Sequence, residues 1–400
     1  MLLAQPALTD VPPDRIAPPP KLLFLVTEDW YFCSHRLPVA RAARDAGFEV
    51  IVAARVREHG EQILREGFRL RPLGWRRRGD GVFGAGRALA EIVRLYRAEQ
   101  PDIVHHVALK PVLFGAAAAR LAFPRGTGPM RIAAVAGLGS SLRPGRLLAP
   151  LGQPVLRVAL RLAAKGGRVI VQNPEDGAAL IGLGVDPALI ALIPGSGVDT
   201  VHFAPQPDLP SSSITVAFVG RMLRSKGVLD ATAAVRSLQA RGLATELILA
   251  GPTDPDNPDS LDDADLRAAA AEPGIEWLGH VDDVREVWRR AVIAVFPSTY
   301  GEGVPKALLE AAACARPIVA TDMPGCREVV RSGETGLLVP PHDIVALADA
   351  IAALAGDPAR RQTMGAAGRA LVEREFGEAM VAEQTLALYS VLLAENRHGR

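Results

Sequence analysis

Strand-like apolar runs alternate with helical segments along this 400-residue chain, and the alternation restarts near its middle. In the front half the spacing predicts strands at Leu22–Thr27, Val50–Ala54, Asp102–His106, Arg131–Ala134 and Arg168–Val171, with a weaker one at Ile190–Ile193. Helices fill the gaps, notably Arg36–Gly47, Arg87–Gln100 and Val112–Leu121. From Ile214 the rhythm begins again, with strands at Ile214–Val219, Thr245–Ala250, Ile275–Leu278, Ala291–Phe296, Pro317–Ala320 and Gly336–Val339. Near-continuous apolar strands joined by helical crossovers describe parallel sheets covered on both faces. The expected fold is therefore α/β, with two doubly wound parallel sheets. The polar, proline-bearing stretch Gly195–Ser213 separates them, and helices around Asp357–Phe376 and Glu378–Glu395 close the chain.

Charge divides along the same boundary. Residues 1–195 carry 26 Lys+Arg against 16 Asp+Glu, and the remainder 19 against 28, so a basic front half (+10) precedes an acidic back half (−9). A basic half suits an anionic membrane, nucleic acid or a phosphorylated partner. The aromatic–basic interleaving of nucleic-acid modules is absent, so nucleic acid is not expected. No run of eighteen uncharged apolar residues exists to span a bilayer. The start Met1-Leu-Leu-Ala-Gln-Pro is a poor signal peptide, and residues 1–20 read as a proline-rich disordered tail. Cys33, Cys314 and Cys326 are an odd, scattered set without metal-ligand spacing, which suggests a reduced, cytoplasmic protein.

The back half holds the sharpest chemical signals. The strand Val216–Gly220 runs into Arg221-Met-Leu-Arg-Ser-Lys226-Gly227 and then a helix. Arg221 and Lys226 thus sit on a strand-to-helix loop at the sheet's carboxyl edge, where such folds bind ligands. Two cations and a helix N-terminus neutralise a diphosphate without a metal; their alternative is a solvated surface. Further on, Gly301-Glu-Gly-Val-Pro-Lys-Ala-Leu-Leu-Glu310 places Glu302 in a glycine turn and Glu310 in an otherwise apolar helix, with Pro305 as that helix's first residue. Eight residues of helix advance about 12 Å, so the two carboxylates cannot share one proton or one metal. They can grip separate hydroxyls of an extended ligand. As plain structure, Glu302 would complement a helix N-terminus and Glu310 would be a surface charge.

The front half offers weaker candidates. His105 and His106 end a strand at its ligand-facing edge, before the helix carrying Lys110, and either imidazole could face a cleft. Glu28, Asp29, His35 and Arg36 follow the first strand and are similarly placed, as acceptor contacts rather than reacting groups. Asp254-Pro-Asp256 has the look of a cation-binding pair but lies in a Pro/Asp-rich turn run, and the loop reading prevails. Trp75-Arg-Arg-Arg78 and the stretch Arg143–Arg168, with Leu147, Leu148, Leu151, Val155 and Leu160, form basic, amphipathic surface that would suit an anionic bilayer.

These motifs together resemble the family 4 retaining glycosyltransferases, over most of residues 21–390. The resemblance rests on Gly220-Arg221 with Lys226-Gly227, on Gly195-Ser-Gly-Val-Asp199, and on the Glu302/Glu310 spacing. It implies the GT-B fold, two Rossmann-like domains facing a cleft: an acceptor domain at 21–195, a linker at 196–213 and a nucleotide-sugar domain at 214–375. The segment 376–400 would form a helix packing back toward the front domain. By the same resemblance Arg221 and Lys226, with Gly220, hold the donor diphosphate and Glu310 takes the ribose hydroxyls. Glu302 binds the donor sugar beside the reacting carbon, Gly303 and Val304 offer backbone N–H groups, and Leu278 marks where the backbone reads the base. Glu302, His106 and His105 would be catalytic, and Glu28, His35, Arg36 and Lys110 would meet the acceptor.

Tyr31-Phe-Cys-Ser-His35-Arg36-Leu-Pro, His105-His106-Val-Ala-Leu-Lys110-Pro and Gln172-Asn173-Pro174 resemble the branch that moves UDP-linked sugars, often N-acetylhexosamines, onto polyprenyl-diphosphate-linked saccharides. Two departures stand out. Thr27-Glu-Asp-Trp30 replaces the family's usual glycine pair, and His105-His106 replaces its His-x-His. The implied function is retaining sugar transfer from a nucleotide-diphosphate donor in cell-surface glycan biosynthesis. It would need no metal or other cofactor and would take place in the cytoplasm, with peripheral contact to the membrane's inner face. Two alternatives share the fold: a nucleotide-sugar 2-epimerase, which would need no acceptor, and a non-catalytic membrane-associated scaffold, which would bind no UDP.

Overall fold

A computed structural model describes residues 18–75, 81–124, 128–135, 137, 149–205, 207 and 212–398. Seven parallel strands form the first sheet: β1 (Lys21–Glu28), β2 (Glu49–Arg55), β3 (Arg69–Pro72), β4 (Ile103–Val107), β5 (Met130–Val135), β6 (Gly167–Val171) and β7 (Ile190–Leu192). Six form the second: β8 (Ile214–Val219), β9 (Thr245–Ala250), β10 (Ile275–Gly279), β11 (Ile293–Phe296), β12 (Ile318–Thr321) and β13 (Gly336–Val339). The spatial orders are β3-β2-β1-β4-β5-β6-β7 and β10-β9-β8-β11-β12-β13. Each sheet is thus doubly wound about its first strand, with its order reversing between β1 and β4 and between β8 and β11. Ligands bind such folds beyond the carboxyl ends of the strands at these reversals.

Burial explains the strand pattern. Leu22, Phe24 and Val26 face one helical layer and Leu23 and Leu25 the other, so β1 is apolar throughout. β3 is the strand that the apolar pattern does not reveal. It lies at the sheet's edge, and its Arg69 and Arg71 reach Glu49 and Glu99, with Arg71 Nε 2.6 Å from Glu99 Oε1. A short, charged edge strand blunts further strand pairing. The helix expected from Arg36 runs Leu37–Asp45, and a further helix, Asp29–His35, precedes it and meets it at Arg36.

The chain passes between the lobes twice, and the two passages are joined. Val198 N–H donates to the Phe376 carbonyl (2.9 Å), and Glu378 N–H donates to the Val198 carbonyl (3.1 Å). Gly197 has φ +75°, and a Cβ there would stand 2.5 Å from Glu378 Cα. After this crossing, helix Glu378–His398 places Val381, Ala382, Tyr389 and Leu392 in the core of the first lobe.

The basic segment expected to meet a membrane falls partly outside the described residues: Arg76–Arg78 and 138–148 are not among them. Trp75 is buried, and helix Ala149–Ala164 buries Leu160 while exposing Val158 and Leu162. No described helix is long and apolar enough to cross a membrane.

Candidate active site

The loop after β8 is pressed against the loop after β11, its neighbour in the sheet. A single turn, Arg224–Lys226, ends at Gly227 with φ +75°. A Cβ on Gly227 would lie 2.0 Å from the Pro297 carbonyl oxygen, so contact and backbone both require glycine. Thr299 N–H donates to the Ser225 carbonyl (2.8 Å) and laces the loops together.

This lacing sets Lys226 Nζ 3.0 Å from Glu302 Oε2. Ser298 Oγ donates to the other carboxylate oxygen at 3.3 Å. Glu302 is thereby fixed beside the cation, in the glycine turn before helix Lys306–Ala313. Pro305 stands one position ahead of that helix, at its N-cap, rather than as its first residue. On the helix, Glu310 is buried, and Lys306 Nζ lies 4.0 Å from its Oε1. Burial pushes the Glu310 carboxyl up to about 7, with Lys306 pulling the other way.

Arg221 follows Gly220 at the end of β8. Its Nη1 is 2.5 Å from Asp254 Oδ2, and its guanidinium lies over the Trp30 ring of the first lobe, 5.8 Å from the centroid. Asp256 pairs with Arg55 and Arg57 across the cleft. Asp254 and Asp256 are therefore ion-pair partners. Among the described residues no group of three His, Cys, Asp or Glu is placed to hold a metal.

From the first lobe, helix Asp29–His35 brings Tyr31 and His35 to the cleft. Their rings stack at 4.2 Å and 4°. Burial, then the charges of Lys306, Arg36, Lys226 and Arg221, hold His35 well below the usual imidazole range, so the ring is neutral. Burial raises the Tyr31 hydroxyl, which senses Arg221 and Glu302. Lys306 Nζ donates to the Ser34 carbonyl (2.6 Å), joining the acid-bearing helix to this segment. Asp29 is buried and accepts the backbone N–H groups of Arg57 (2.7 Å) and His59 (2.9 Å), so it shapes the cleft rim and is not available to a ligand.

The Glu302–Gly303 turn sits between two glycines, one from each lobe. A Cβ on Gly137 would be 2.8 Å from Gly303 N, and one on Gly325 would be 1.6 Å from the Gly303 carbonyl oxygen. The Asn173 amide donates to the Glu302 carbonyl (3.3 Å). Val304 N–H donates to Gln172 Oε1 (2.9 Å), so this expected donor to the sugar is already engaged; among the described residues Gly303 N–H has no such bond.

Both histidine placements need correcting. His105 and His106 are each 1 % exposed and lie in the core on opposite faces of β4. His105 Nδ1 is bonded to the Tyr389 hydroxyl (2.7 Å) and His106 Nε2 to the Tyr96 hydroxyl (2.8 Å). Burial, with the nearby Arg131 charge, pushes His106 down to about 3. Neither imidazole faces the cleft, because β4 runs on to Val107 and packs both rings under helices. Lys110 instead stands over the rings of Trp75 (5.3 Å) and Phe114 (5.9 Å). Glu28 is buried beside Arg57 (3.5 Å) and Arg55 (3.6 Å), which gives it a structural use. Leu278, on edge strand β10, is half-buried against the second core.

Tyr31, Lys306, Ser298, Gln172 and Trp30 line the same region; all but Ser298 stand inside the quoted motifs, yet the motifs assign none of them a site role. One signal was available: Tyr31 and His35 are four apart, hence on one helical face. The contacts of Lys306 and Gln172 join distant segments and leave no local trace.

Residues 213–357 match the family model "Glycosyl transferases group 1", and residues 21–173 match "Glycosyl transferase 4-like". The chain belongs to the family 4 glycosyltransferases. Relatives include the capsular polysaccharide biosynthesis glycosyltransferase CapM of Staphylococcus aureus, 28% identical over 188 residues (47% of this chain, 49% of CapM). Another is the alpha-maltose-1-phosphate synthase of Mycolicibacterium smegmatis, 36% identical over 214 residues (48% of this chain, 55% of that protein). The alignments thus span about half the length of these relatives. Among solved structures, Anabaena HepE in complex with UDP and glucose superposes with a TM-score of 0.73 at 19% identity, covering 92% of this chain and 99% of HepE. Sucrose-phosphate synthase from Thermosynechococcus elongatus gives 0.77 at 23% identity, covering 94% and 100%. At that identity these likenesses speak to fold, and the fold is GT-B.

Proposed function

We propose that this protein is a retaining glycosyltransferase. Its donor would be a nucleotide-diphosphate sugar, with UDP as the nucleotide, and its acceptor a hydroxyl of a lipid-linked saccharide in cell-surface glycan assembly. The carrying observation is the Lys226–Glu302 pair, 3.0 Å apart at the β8/β11 reversal, ahead of a helix whose Lys306 bonds the Ser34 carbonyl of the first lobe (2.6 Å). HepE binding UDP on this fold and CapM acting in capsule biosynthesis both support the reading.

On the β8 loop, Arg221 is held by Asp254 and Lys226 by Glu302 at the second lobe's carboxyl edge. As the bond between sugar and diphosphate loosens, negative charge grows on the leaving oxygen. Preformed cations in a water-poor cleft stabilise that charge without reorganising, typically by several kcal/mol. Glu302, held by Lys226 and Ser298, is placed to bind the sugar and to favour positive charge at its reacting carbon. Glu310 would accept ribose hydroxyls, and its carboxylate form, with both oxygens free to accept, does so more strongly than the neutral acid. His35, neutral and stacked on Tyr31, would contact the acceptor or the transferred sugar. No metal is needed in this scheme. Closure of the lobes about the paired crossings at Val198 and Glu378 would expel water and limit hydrolysis.

The test is transfer from a panel of UDP-, GDP- and ADP-sugars onto polyprenyl-diphosphate saccharides, with product stereochemistry read by NMR. Product that requires an acceptor and keeps the donor's anomeric configuration supports the proposal. Sugar conversion without any acceptor, or inversion, refutes it.

A further inference from the structure

Arg36 is a buried cation without an anion. The residue is 4 % exposed, and its Nε is sealed from solvent with no hydrogen-bond partner. Among the described residues its guanidinium makes no hydrogen bond and no ion pair, although arginine remains charged in any protein environment. A fold rarely leaves such a charge uncompensated, because desolvating it is costly unless a partner arrives.

Tyr31, His35, His105 and Tyr389 each feel the Arg36 charge. Arg36 follows His35 at the junction of helices Asp29–His35 and Leu37–Asp45, and the Ser34 carbonyl two positions ahead accepts from Lys306 of the second lobe (2.6 Å), so Arg36 adjoins the segment that meets that lobe. The planar guanidinium fork matches the oxygens of a phosphate, where a lone hydroxyl would leave most of its donors unused.

We infer that Arg36 anchors an oxyanion subsite on the acceptor side of the cleft, which takes a phosphate or diphosphate group of the acceptor. This rests on the proposed sugar transfer, since the first lobe is the acceptor's only under that reading. The phosphoryl group could belong to a carrier lipid or to a soluble sugar phosphate, and both offer the same oxygens.

The experiment is pyrophosphate titration, read by calorimetry, of the full chain and of variants. In Lys226→Ala, which weakens any pyrophosphate site on the donor side, saturable binding is expected to persist. Adding Arg36→Met or Arg36→Gln to that background should weaken it at least tenfold. UDP titration of the single Arg36 variants serves as the fold check, and wild-type affinity for UDP is expected. Replacing pyrophosphate by farnesyl diphosphate and by glucose 1-phosphate then assigns the source, by which of them binds more tightly in an Arg36-dependent way. No saturable pyrophosphate binding in Lys226→Ala overturns the subsite, as does equal binding with and without Arg36. Loss of UDP binding by the unmodified chain would instead strike the donor reading, and the Arg36 comparison would still decide the subsite.

Discussion

Lys226 Nζ and Glu302 Oε2 stand 3.0 Å apart, so the cation assigned to the donor diphosphate and the acid assigned to the donor sugar hold each other before a ligand arrives. This pre-sets both side chains at the spacing from which a ligand would engage them together. Truncating Lys226 to Ala is expected to lower kcat by about 10²–10³, the usual scale for losing one preorganised electrostatic contact. Glu302→Gln should lower kcat with a smaller effect on UDP affinity. Steady-state kinetics on both variants, with circular dichroism to confirm folding, checks this. Near-normal turnover in Lys226→Ala would count against the assignment.

Glu310 sets binding against stability. Its carboxyl is raised to about 7 by burial, so its charged form is disfavoured by the fold. The raised carboxyl makes the folded state hold a proton that the unfolded state has already lost, and stability therefore falls as pH rises from the ordinary carboxylate range through 7. Relative to the neutral form this amounts to about 3 kcal/mol above pH 8. Glu310→Gln is accordingly expected to raise the Tm of the unliganded protein at pH 8 while weakening UDP. In the unmodified chain, UDP affinity should fall by up to about tenfold per pH unit below 7, as protonation competes with the hydroxyl contacts. Calorimetry between pH 5.5 and 8.5 measures both effects; a flat UDP affinity across that range would remove Glu310 from the ribose site.

His106 is bonded to Tyr96, and a Cβ on Gly115 would lie 2.2 Å from its Nε2, which shows how closely the ring is packed. His106→Ala should therefore cost about 2–4 kcal/mol of stability from the cavity and the lost hydrogen bond. UDP affinity should be unchanged. Denaturant melts beside UDP titration separate the two; weaker UDP binding with unchanged stability would restore a role in the site.

How much of this the sequence revealed depended on where each interaction partner lies. Twelve of the thirteen strands were visible, most of them because parallel strands buried on both faces are apolar nearly throughout, as in Leu22–Val26. β3 escaped because its arginines answer glutamates from β2 and from before β4, partners that no local pattern announces. The second lobe's candidates gathered as a group because Arg221, Lys226, Glu302 and Glu310 all follow two adjacent strands. The histidines misled for the opposite reason: a strand's end predicts the edge of a sheet, yet Tyr96 on the helix Gly81–Glu99 and Tyr389 near the end of the chain claim both rings. Arg36 was legible as one of several acceptor-side candidates, and burial without an acid among the described residues is what sets it apart from the others.

Gly227 offers a backbone test of the same site. With φ +75° and the Pro297 carbonyl where its Cβ would go, Gly227→Ala must move one loop away from the other. Loss of stability by about 1–3 kcal/mol and at least tenfold weaker UDP binding are expected together. Intact UDP binding in a stable Gly227→Ala protein would show that the laced loops do not form the donor site.

The central claim is that the second lobe clasps a sugar nucleotide through its diphosphate and its ribose. Calorimetric titration of UDP into the unmodified chain, Lys226→Ala and Glu310→Ala tests it most directly. Saturable one-to-one binding by the first, weakened at least tenfold in each variant while both stay folded, is the predicted result. No binding by the unmodified chain, or equal affinity in all three, would contradict it.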